Sequence, residues 1–420
     1  MTNATNGTSV TNAANGTSMT NATNATSMTN AANGTSMTNA ANGTSMTNAA
    51  NGTSMTNAAN ETGAIGVLGG TFDPIHVGHL LLAEAARLQA GFSRVLFMPA
   101  HIQPFKQGVE MSSDDDRLRM LRLAVADNPY FSVTTIETDK GGISYTIDSL
   151  RALREEHCGA DIGFIIGTDM FLNIEKWKDA DDLIREFGFA VGMRPGYKHD
   201  EAVALADRLK KSHGAKITFV DNPPIELSST EIRERITKGD SVRYRVPESV
   251  RRYLLVREKV GTERFEHTKR VMDLAAELAG RFGADKEKTA LAALLHDFSK
   301  DPAKGLENDV SHGRMAADAA REEFGVEDED VLNAICYHTT GRAGMSRLEQ
   351  IIFLSDTVEP GRTYDSIARL RETCLEDLGQ GTKTVLVELK KYLQRKGIAV
   401  SPDTEAAIAV LEHEEGVNNN

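Results

Sequence analysis

Two histidines three residues apart, His76 and His79, lie in the glycine-rich stretch GGTFDPIHVGH that covers residues 69–79. The stretch follows a short apolar run and precedes an apolar run with helical spacing, which predicts a strand, a tight turn and a helix N-terminus. Backbone N–H groups at such a turn point toward a bound anion, and the helix dipole favours negative charge there. Because residues three apart share one face of a helix, both imidazoles would lie beside that anion. The pattern indicates a site that stabilises a polyphosphate.

A second set of imidazoles and carboxylates recurs after residue 263. Its members are His267, the adjacent pair His296 and Asp297, His312, His338 and Asp356. Imidazole and carboxylate ligands together suit Fe, Mn, Zn or Mg, and ligand softness alone does not choose among them. A single histidine at a helix end is usually structural, so these residues are potential metal ligands, and the sequence around each of them must decide.

Two kinds of element must position these residues. Residues 64–258 alternate apolar strands with amphipathic helices, which predicts an α/β fold with a doubly wound, parallel, Rossmann-like sheet that binds ligands at the carboxyl ends of its strands. Residues 263–415 show apolar spacing of three and four and no convincing strand, which predicts an all-α domain. The expected strands are 64–68, 94–98, 131–136, 162–166, 189–192 and 216–220. The expected helices are 77–89, 115–126, 146–155, 200–211 and 229–237, then 263–282, 285–296, 313–324, 329–337, 347–355, 366–378 and 383–395.

Residues 1–63 are a low-complexity segment, made of seven copies of a nine-residue unit that is mostly MTNAANGTS. Each unit offers little apolar surface, which cannot offset a backbone ordering entropy of roughly 1 to 2 kcal/mol per residue. A repeat can also form a solenoid with a shared core, but here we expect a disordered tail without a catalytic role.

The composition excludes several functional classes. The net charge of −13 does not favour binding to nucleic acid. The three cysteines, Cys158, Cys336 and Cys374, form no CxxC pair and fit a reducing compartment. No apolar run approaches the roughly 18 to 20 residues of a membrane span, and the N-terminus lacks the features of a secretory signal. We therefore expect a cytoplasmic protein that binds neither membrane nor nucleic acid.

The stretch GGTFDPIHVGH resembles the signature of the (H/T)xGH nucleotidyltransferase superfamily, in the version found in nicotinate-nucleotide adenylyltransferases. Phosphopantetheine adenylyltransferases usually have Thr in place of the first His. Further segments resemble the same family in the same order: MPAHIQPFK (98–106), SYTIDSLRAL (144–153), IIGTDMFLNIEKWKD (165–179), LSSTEIRERI (227–236) and YRVPESVRRYL (244–254). The resemblance covers about residues 64–258 and implies transfer of AMP from ATP to nicotinate mononucleotide, giving deamido-NAD and pyrophosphate. The alternative is an adenylyltransferase that acts on another phosphate acceptor.

The resemblance also implies roles for individual residues. The catalytic residues would be His76, His79, Lys106 and Arg233, which would donate hydrogen bonds or positive charge to the phosphates. The ATP-binding residues would be Gly69, Gly70, Thr71, Phe72, Ser228, Ser229 and Thr230, with Mg²⁺ bridging the phosphates. The nicotinate-nucleotide site would contain Thr146, Asp169, Trp177 and Arg194. Trp177 could stack on the pyridinium ring or be a core residue, and Asp169 could contact the nucleotide or cap a helix.

In the second half, the segments EHTKRV (266–271), LLHDFSKD (294–301), SHGRMAA (311–317), YHTTGR (337–342) and IIFLSDTVEPGR (351–362) resemble the HD-domain phosphohydrolases. The likeness is greatest to the bacterial hydrolase that splits diadenosine tetraphosphate, a dinucleoside polyphosphate, into two ADP. The resemblance implies a dinuclear site for iron or another divalent metal. His267, His296, Asp297 and Asp356 would hold one ion, and His312 and His338 would complete a second, with Asp297 able to bridge. Lys300 and Arg342 would clamp phosphate, and Asp301 could steer the nucleophile or be a surface residue.

One departure from that family concerns the segment 298–311, where its members usually carry a longer helical insertion. The shorter segment leaves the ligand set intact but affects substrate choice, so another nucleotide is an alternative substrate. A further alternative is that the HD half senses nucleotides and regulates the adenylyltransferase. The junction at 256–262 is short and polar, and we expect two independently folded neighbours.

Overall fold

The structure, a computed structural model, describes residues 3–12, 15–30, 33–40, 42–48, 51–58, 63–102, 111–193, 198–223, 225–300 and 311–418. The chain divides into two compact units. The first contains Met1–Arg235 and Val242–Val250, and the second contains Ile236–Ser241 and Arg251–Asn420.

The nonapeptide repeats form five strands, which differs from the expected absence of regular structure. The strands are β1 (Asn3–Asn12), β2 (Asn15–Asn30), β3 (Asn33–Ala40), β4 (Asn42–Asn48) and β5 (Asn51–Ala58). All pairs are parallel, and residues two repeats apart lie opposite each other, such as Asn3 and Asn21. Such pairing satisfies backbone N–H and C=O groups through hydrogen bonds that do not depend on apolar side chains. The expectation of disorder rested on the small apolar surface of each unit and so did not include this contribution.

The first unit also contains a six-stranded parallel sheet, which confirms the predicted fold class. Its strands are β6 (Ile65–Gly70), β7 (Arg94–Pro99), β8 (Phe131–Val133), β9 (Ile162–Gly167), β10 (Gly188–Met193) and β11 (Ile217–Asp221). They lie in the order β11-β10-β9-β6-β7-β8, so that the chain reverses its direction of travel across the sheet between β6 and β9. In doubly wound sheets, ligands bind beyond the carboxyl ends of the strands at this switch point. The stretch 69–79 lies there, because it begins in the last residues of β6.

Helices accompany the strands of this sheet. They are α1 (Val77–Gln89), α2 (Asp114–Val125), α3 (Ile136–Lys140), α4 (Thr146–Glu156), α5 (Thr168–Phe171), α6 (Ala180–Glu186), α7 (His199–His213) and α8 (Ser229–Thr237). The next helix, α9 (Glu248–Val260), begins in the first unit and lies mostly in the second. The central strand β6 buries Ile65–Leu68 completely, as a strand covered on both faces requires.

One predicted strand in this unit, 131–136, is wrong in its second half. β8 ends at Val133, and α3 begins at Ile136. β8 is an edge strand that pairs only with β7, over three residues. The β-branched residues continue to Ile136, but β7 pairs only with residues 131–133. Beyond Val133 the chain forms a short helix instead, and this helix buries Glu137.

The second unit is helical throughout its described residues after Gly261, as predicted. Its helices are α10 (Thr262–Phe282), α11 (Lys286–Leu295), α12 (Ser311–Phe324), α13 (Glu329–Cys336), α14 (Arg347–Val358), α15 (Ile367–Glu376), α16 (Leu378–Arg395) and α17 (Pro402–Asn418). α14 is apolar nearly all round and packs against α10, α11, α13 and α16, which makes it the central helix. The sequence prediction missed α17. None of the helices in the described part of the chain is long and apolar enough to span a bilayer.

Candidate active sites

His76 and His79 lie at the start of α1, beyond the carboxyl end of β6. The backbone N–H of His76, the N-cap residue, donates to His79 Nδ1 over 3.3 Å. The two imidazole rings stack with centroids 3.7 Å apart, and Phe72 packs edge-on against His79 at 5.0 Å. Because Nδ1 of His79 accepts a hydrogen bond, the neutral ring carries its proton on Nε2 and can donate from there. Both rings are therefore held at a helix end that attracts anions.

The second predicted phosphate segment, at the start of α8, lies against the same turn. Ser229 Oγ donates to the carbonyl of Pro74 over 2.9 Å. Arg233 Nη1 donates to the carbonyl of Asp73 and lies 3.7 Å from Asp73 Oδ2. These contacts place the first turn of α8 beside the turn that carries the histidines. The predicted ATP-binding residues on this segment are Ser228, Ser229 and Thr230.

The glycines that end β6 are explained by close packing. A Cβ on Gly70 would lie 3.0 Å from the ring of Phe72, and one on Gly69 would lie 3.0 Å from the ring of Phe164. Phe72 is fully buried and has a φ of 52°. The backbone around Thr71 is therefore held in a tight turn that larger residues would disrupt.

An arginine that the sequence prediction missed supports this turn. Arg117 is the largest fully buried side chain of the described residues. It donates to the carbonyl of Thr71 over 2.8 Å and forms an ion pair with Asp114. Asp114 in turn contacts His101 Nδ1. The network joins the turn around Thr71 to α2 and to the residues after β7. The spacing of Asp114 and Arg117 on one helix face is ordinary for a surface pair, so the sequence carried no signal of its burial.

Three of the residues predicted for the nicotinate nucleotide are among the described residues. Thr146 is the first residue of α4, and Asp169 is exposed in α5, directly after β9. Trp177 follows a short 3₁₀ turn, is half-buried, and lies edge-on to Phe164 with ring centroids 6.0 Å apart. It packs against the core, as the structural alternative requires. Its indole Nε1 is buried without a hydrogen-bond partner among the described residues.

Lys106 and Arg194 lie outside the described residues, as does Asp301. Their roles stay predictions.

Asp297 lies at the centre of the cluster in the second unit. Its Oδ2 is 3.8 Å from Nε2 of His296 and 3.9 Å from Nε2 of His267. Its Oδ1 is 3.3 Å from Nε2 of His312 and 3.6 Å from Nε2 of His338. Each oxygen therefore faces a different pair of imidazoles, and two groups of possible metal ligands share one carboxylate. A carboxylate in this position can bridge two ions.

Five segments of the helical unit bring these residues together. His267 comes from α10, His296 caps the end of α11, and His312 comes from α12. His338 follows α13, and Asp356 comes from α14. Asp356 Oδ1 lies 3.1 Å from Nε2 of His267 and so adds a second carboxylate to the first group. All six metal ligands predicted from the sequence are thus assembled at one centre.

The Nδ1 atoms of three of these histidines are held by oxygen atoms outside the centre. His296 Nδ1 contacts the carbonyl of Ala293 at 2.8 Å, and His338 Nδ1 contacts the carbonyl of Ile335 at 2.7 Å. His267 Nδ1 lies 3.2 Å from a carboxylate oxygen of Glu359. A proton on Nδ1 leaves the lone pair of Nε2 directed at the centre, which is how metal-binding histidines are commonly oriented.

The electrostatics of the cluster fit a bound cation. Burial lowers the pKa of His296 to about 4, so that this ring is neutral at neutral pH. Burial opposes the ionisation of Asp297, but the imidazoles around it, that of His296 first, hold the pKa of this carboxyl well below its usual range. Burial also opposes the ionisation of Asp356, but the hydrogen bond from His267 and the neighbouring positive charges hold the pKa of this carboxyl below its usual range. His296 Nε2 is buried without a hydrogen-bond partner among the described residues. A neutral imidazole lone pair beside buried carboxylates is a donor set that fits a divalent metal.

Three further groups around this centre were missed by the sequence prediction. Glu359 is buried and binds His267, and Arg264 and Arg362 form ion pairs with the two candidate carboxylate ligands. Glu359 and Arg362 lie in the motif IIFLSDTVEPGR, and Arg264 precedes His267 by one helical turn. The motif could have indicated Glu359 and Arg362, and the spacing of three residues from His267 could have indicated Arg264.

The two predicted phosphate clamps have different surroundings. Lys300 Nζ lies 3.7 Å from Asp297 Oδ2, at the centre. Arg342 instead binds the buried carboxylate of Glu349 with two hydrogen bonds of 2.6 and 2.7 Å. These two hydrogen bonds use the Nε and Nη2 edge of the guanidinium, with which Arg342 would otherwise bind a phosphate.

Comparisons with known proteins match both units. Residues 67–235 match the Cytidylyltransferase-like family, and residues 264–361 match the HD domain. The chain is 42% identical over 190 residues to the "Probable nicotinate-nucleotide adenylyltransferase" of Herpetosiphon aurantiacus, over 45% of this chain and 94% of that protein. It is 38% identical over 194 residues to the protein of the same name from Moorella thermoacetica, over 46% of this chain and 89% of that protein.

Part of the chain is similar to one solved structure. It is the "predicted HD superfamily hydrolase involved in NAD metabolism" from Clostridium acetobutylicum, with 32% identity and a TM-score of 0.36, over 39% of this chain and 96% of that one. The relatives from Herpetosiphon and Moorella are covered over nearly their whole length. The chain therefore belongs to the nicotinate-nucleotide adenylyltransferase family and carries an HD domain after the adenylyltransferase-like half.

Proposed function

We propose that the first half transfers the adenylyl group of ATP to nicotinate mononucleotide. The observation that carries this proposal is the stacked pair His76 and His79 at the switch point, with the arginine of α8 held against the same turn. The close likeness to proteins named nicotinate-nucleotide adenylyltransferases supports the choice of acceptor.

The reaction needs no covalent intermediate with the protein. A phosphate oxygen of the mononucleotide attacks the α-phosphorus of ATP, the bond to the β-phosphate oxygen breaks, and pyrophosphate leaves. His76 and His79 would donate hydrogen bonds to the triphosphate as charge moves onto the leaving group, and Arg233 would supply fixed positive charge. Mg²⁺ enters this reaction with ATP and neutralises part of its charge. Positioning and electrostatic stabilisation are therefore the main contributions of the protein.

The test incubates the full chain with ATP, Mg²⁺ and either nicotinate or nicotinamide mononucleotide, and measures pyrophosphate release. We expect release with nicotinate mononucleotide and a loss of at least 100-fold in kcat for His79→Ala, the order of magnitude for removing one donor to a developing anion. Pyrophosphate release with phosphopantetheine but with neither pyridine nucleotide would favour the alternative acceptor.

For the second half we infer a metal-dependent phosphohydrolase that cleaves diadenosine tetraphosphate into two ADP. The observation that carries this inference is the shared carboxylate of Asp297 between two groups of imidazoles. His267, His296, Asp297 and Asp356 would hold one divalent ion, iron or a similar metal, and His312 and His338 would hold a second with Asp297. Such ions supply activation of water and neutralisation of phosphate charge.

The protein groups determine where this chemistry takes place. Water attacks one of the two central phosphorus atoms, the bridging P–O bond breaks, and each half of the substrate leaves as ADP. Burial of the carboxylates keeps bulk water from competing for the ligand atoms. Lys300, whose ammonium lies beside Asp297, would contact a phosphate oxygen.

The variant His296→Ala tests this inference. We expect wild-type protein with Fe²⁺, Mn²⁺ or Co²⁺ to release ADP from diadenosine tetraphosphate, and the variant to lose this activity while pyrophosphate release in the first half is unchanged. Cleavage of another nucleotide in preference would support the alternative that follows from the shorter segment 298–311. Absence of cleavage of any nucleotide by the metal-loaded protein would leave a regulatory nucleotide-binding module as the better description.

A further inference from the structure

Three cations surround the two candidate carboxylate ligands of the helical unit. Arg264 Nη1 donates to Asp297 Oδ2 over 2.8 Å, and Lys300 Nζ lies 3.7 Å from the same oxygen. Arg362 Nη2 donates to Asp356 Oδ1 over 2.8 Å. The carboxylate side chains are 3% and 15% exposed, whereas Arg264, Lys300 and Arg362 are 28%, 24% and 42% exposed. The cations therefore lie on the solvent side of the centre.

The oxygens that these arginines bind are the oxygens that would ligate a metal. Asp297 Oδ2 faces His267 and His296, and Asp356 Oδ1 faces His267. An ion bound by these ligands takes up the negative charge of the carboxylates, so Arg264 loses its ion-pair partner among the described residues, and Arg362 keeps only the more distant carboxylate of Glu359, at 3.8 Å. A partly buried guanidinium without a counterion is costly and requires another anion.

The shape of the guanidinium indicates which anion replaces the carboxylate. Its planar set of donors matches the oxygens of phosphate as well as it matches a carboxylate, and it stays charged at any physiological pH. Arg264 Nε is buried and has no acceptor among the described residues, so this donor is unsatisfied while the side chain binds Asp297.

Arg342 has a different kind of partner. Glu349 is 2% exposed, and it is bound both by Arg342 and by the backbone N–H of Ser346, with which it forms the capping box of α14. Since Glu349 belongs to neither group of candidate metal ligands, a metal would not displace Arg342 from it.

We propose that Arg264 and Arg362, together with Lys300, form the subsite for the phosphate chain of a nucleoside polyphosphate, and that Arg342 is a structural residue that fixes the start of α14. This proposal rests on the metal-dependent phosphohydrolase function inferred above. It assigns the substrate-binding cations of that site and replaces one of the two clamps predicted from the sequence.

The experiment compares the full-length wild type with Arg264→Gln, Arg362→Gln and the matched control Arg342→Gln. Calorimetry first measures Mn²⁺ binding and then ADP binding to the Mn²⁺-loaded protein. Nucleotide bound by the first half contributes equally in every variant, so differences report on the second half. We expect Arg264→Gln and Arg362→Gln to bind Mn²⁺ at least as tightly as the wild type, because a competing cation is gone. We expect them to bind ADP at least tenfold more weakly and to show a raised KM for diadenosine tetraphosphate.

The control is expected to bind ADP like the wild type and to melt at a lower temperature. The proposal is overturned if ADP affinity is unchanged in both test variants, or if Arg342→Gln loses ADP affinity as they do. It is also overturned if Arg264→Gln loses Mn²⁺ binding as His296→Ala does, since Arg264 would then organise the ligands rather than bind substrate. Arg264→Lys and Arg362→Lys, which keep the charge but not the bidentate geometry, replace any Gln variant that fails to fold. If ADP binding depends on both arginines but no nucleotide is cleaved, the subsite stands and the hydrolase function fails.

Discussion

Glu359 offers the sharpest test of how the helical unit orients its candidate metal ligands. Its buried carboxylate faces His267 Nδ1 at 3.2 Å, Arg270 Nε at 2.6 Å and the backbone N–H of Gly361. Burial, the largest single influence, opposes its ionisation, but the hydrogen bonds from Arg270, Gly361 and His267 together outweigh burial and lower the pKa of Glu359, so the group is charged at neutral pH. A charged acceptor on Nδ1 fixes the orientation of the imidazole and makes Nε2 more basic. The substitution Glu359→Gln keeps the size of the side chain and removes the charge.

The expected magnitude follows from these contacts. A glutamine can accept with one of its two terminal atoms, so it cannot satisfy the donors of His267, Arg270 and Gly361 together. Loss of such an outer partner of a ligand typically weakens metal binding by about 10- to 100-fold, or about 1.4 to 2.8 kcal/mol. The unsatisfied buried donor should also lower the free energy of unfolding by about 1 to 3 kcal/mol.

The assay is calorimetric titration of the metal-free full chain with Mn²⁺, accompanied by urea unfolding without metal. The matched control is Arg270→Gln, which removes a partner of Glu359 but leaves the contact of Glu359 with His267. Arg270 is 38% exposed, so this control should change Mn²⁺ affinity less than about threefold. Equal Mn²⁺ affinity in Glu359→Gln and the wild type would refute the reasoning, as would an equal loss in both variants.

Three further predictions concern buried groups. Arg117→Met should lower the free energy of unfolding by about 2 kcal/mol or more, because the carbonyl of Thr71 loses its donor and the partly buried Asp114 loses its ion-pair partner. A change within about 0.5 kcal/mol in urea titrations, which is the order of an ordinary surface substitution, would contradict this prediction. Burial raises the pKa of Glu137 above its ordinary 4.5, so the folded state binds this proton more tightly than the unfolded state. The stability from Glu137 is therefore full below about pH 4.5 and is lost as the pH rises through the folded pKa, and Glu137→Gln should flatten this part of a urea-midpoint profile against pH. Burial raises the pKa of Cys374 to about 12, whereas Cys158 is exposed. Mass mapping after brief iodoacetamide treatment should therefore find Cys158 alkylated first and Cys374 only after unfolding. Early modification of Cys374 would contradict this prediction.

Helix and strand positions in the first unit followed closely from local pattern. The predicted helices 77–89 and 229–237 have the observed bounds of α1 and α8, because their apolar spacing and end residues are local properties. The strand expected at 131–136 failed after Val133, because strand length depends on a partner that the local sequence does not describe. The prediction of a disordered tail failed for a related reason. Strand pairing between units two repeats apart is a property of the whole array and is not visible in one unit.

The sequence by itself determined which residue types are present for chemistry and where each lies along the chain. The short run 69–79 predicted His76 and His79 at a helix start, and the family resemblance of five short segments singled out the six candidate metal ligands, because such patterns are local in the sequence. Only the tertiary structure decided which partners these residues have. His267 meets Glu359 across 92 positions of sequence, and Arg233 meets Asp73 across 160. Arg342, which is placed in its motif like a phosphate clamp, is instead held by Glu349. Contacts of this kind depend on how helices and strands pack and on which charges become buried together, and these are properties of the folded chain.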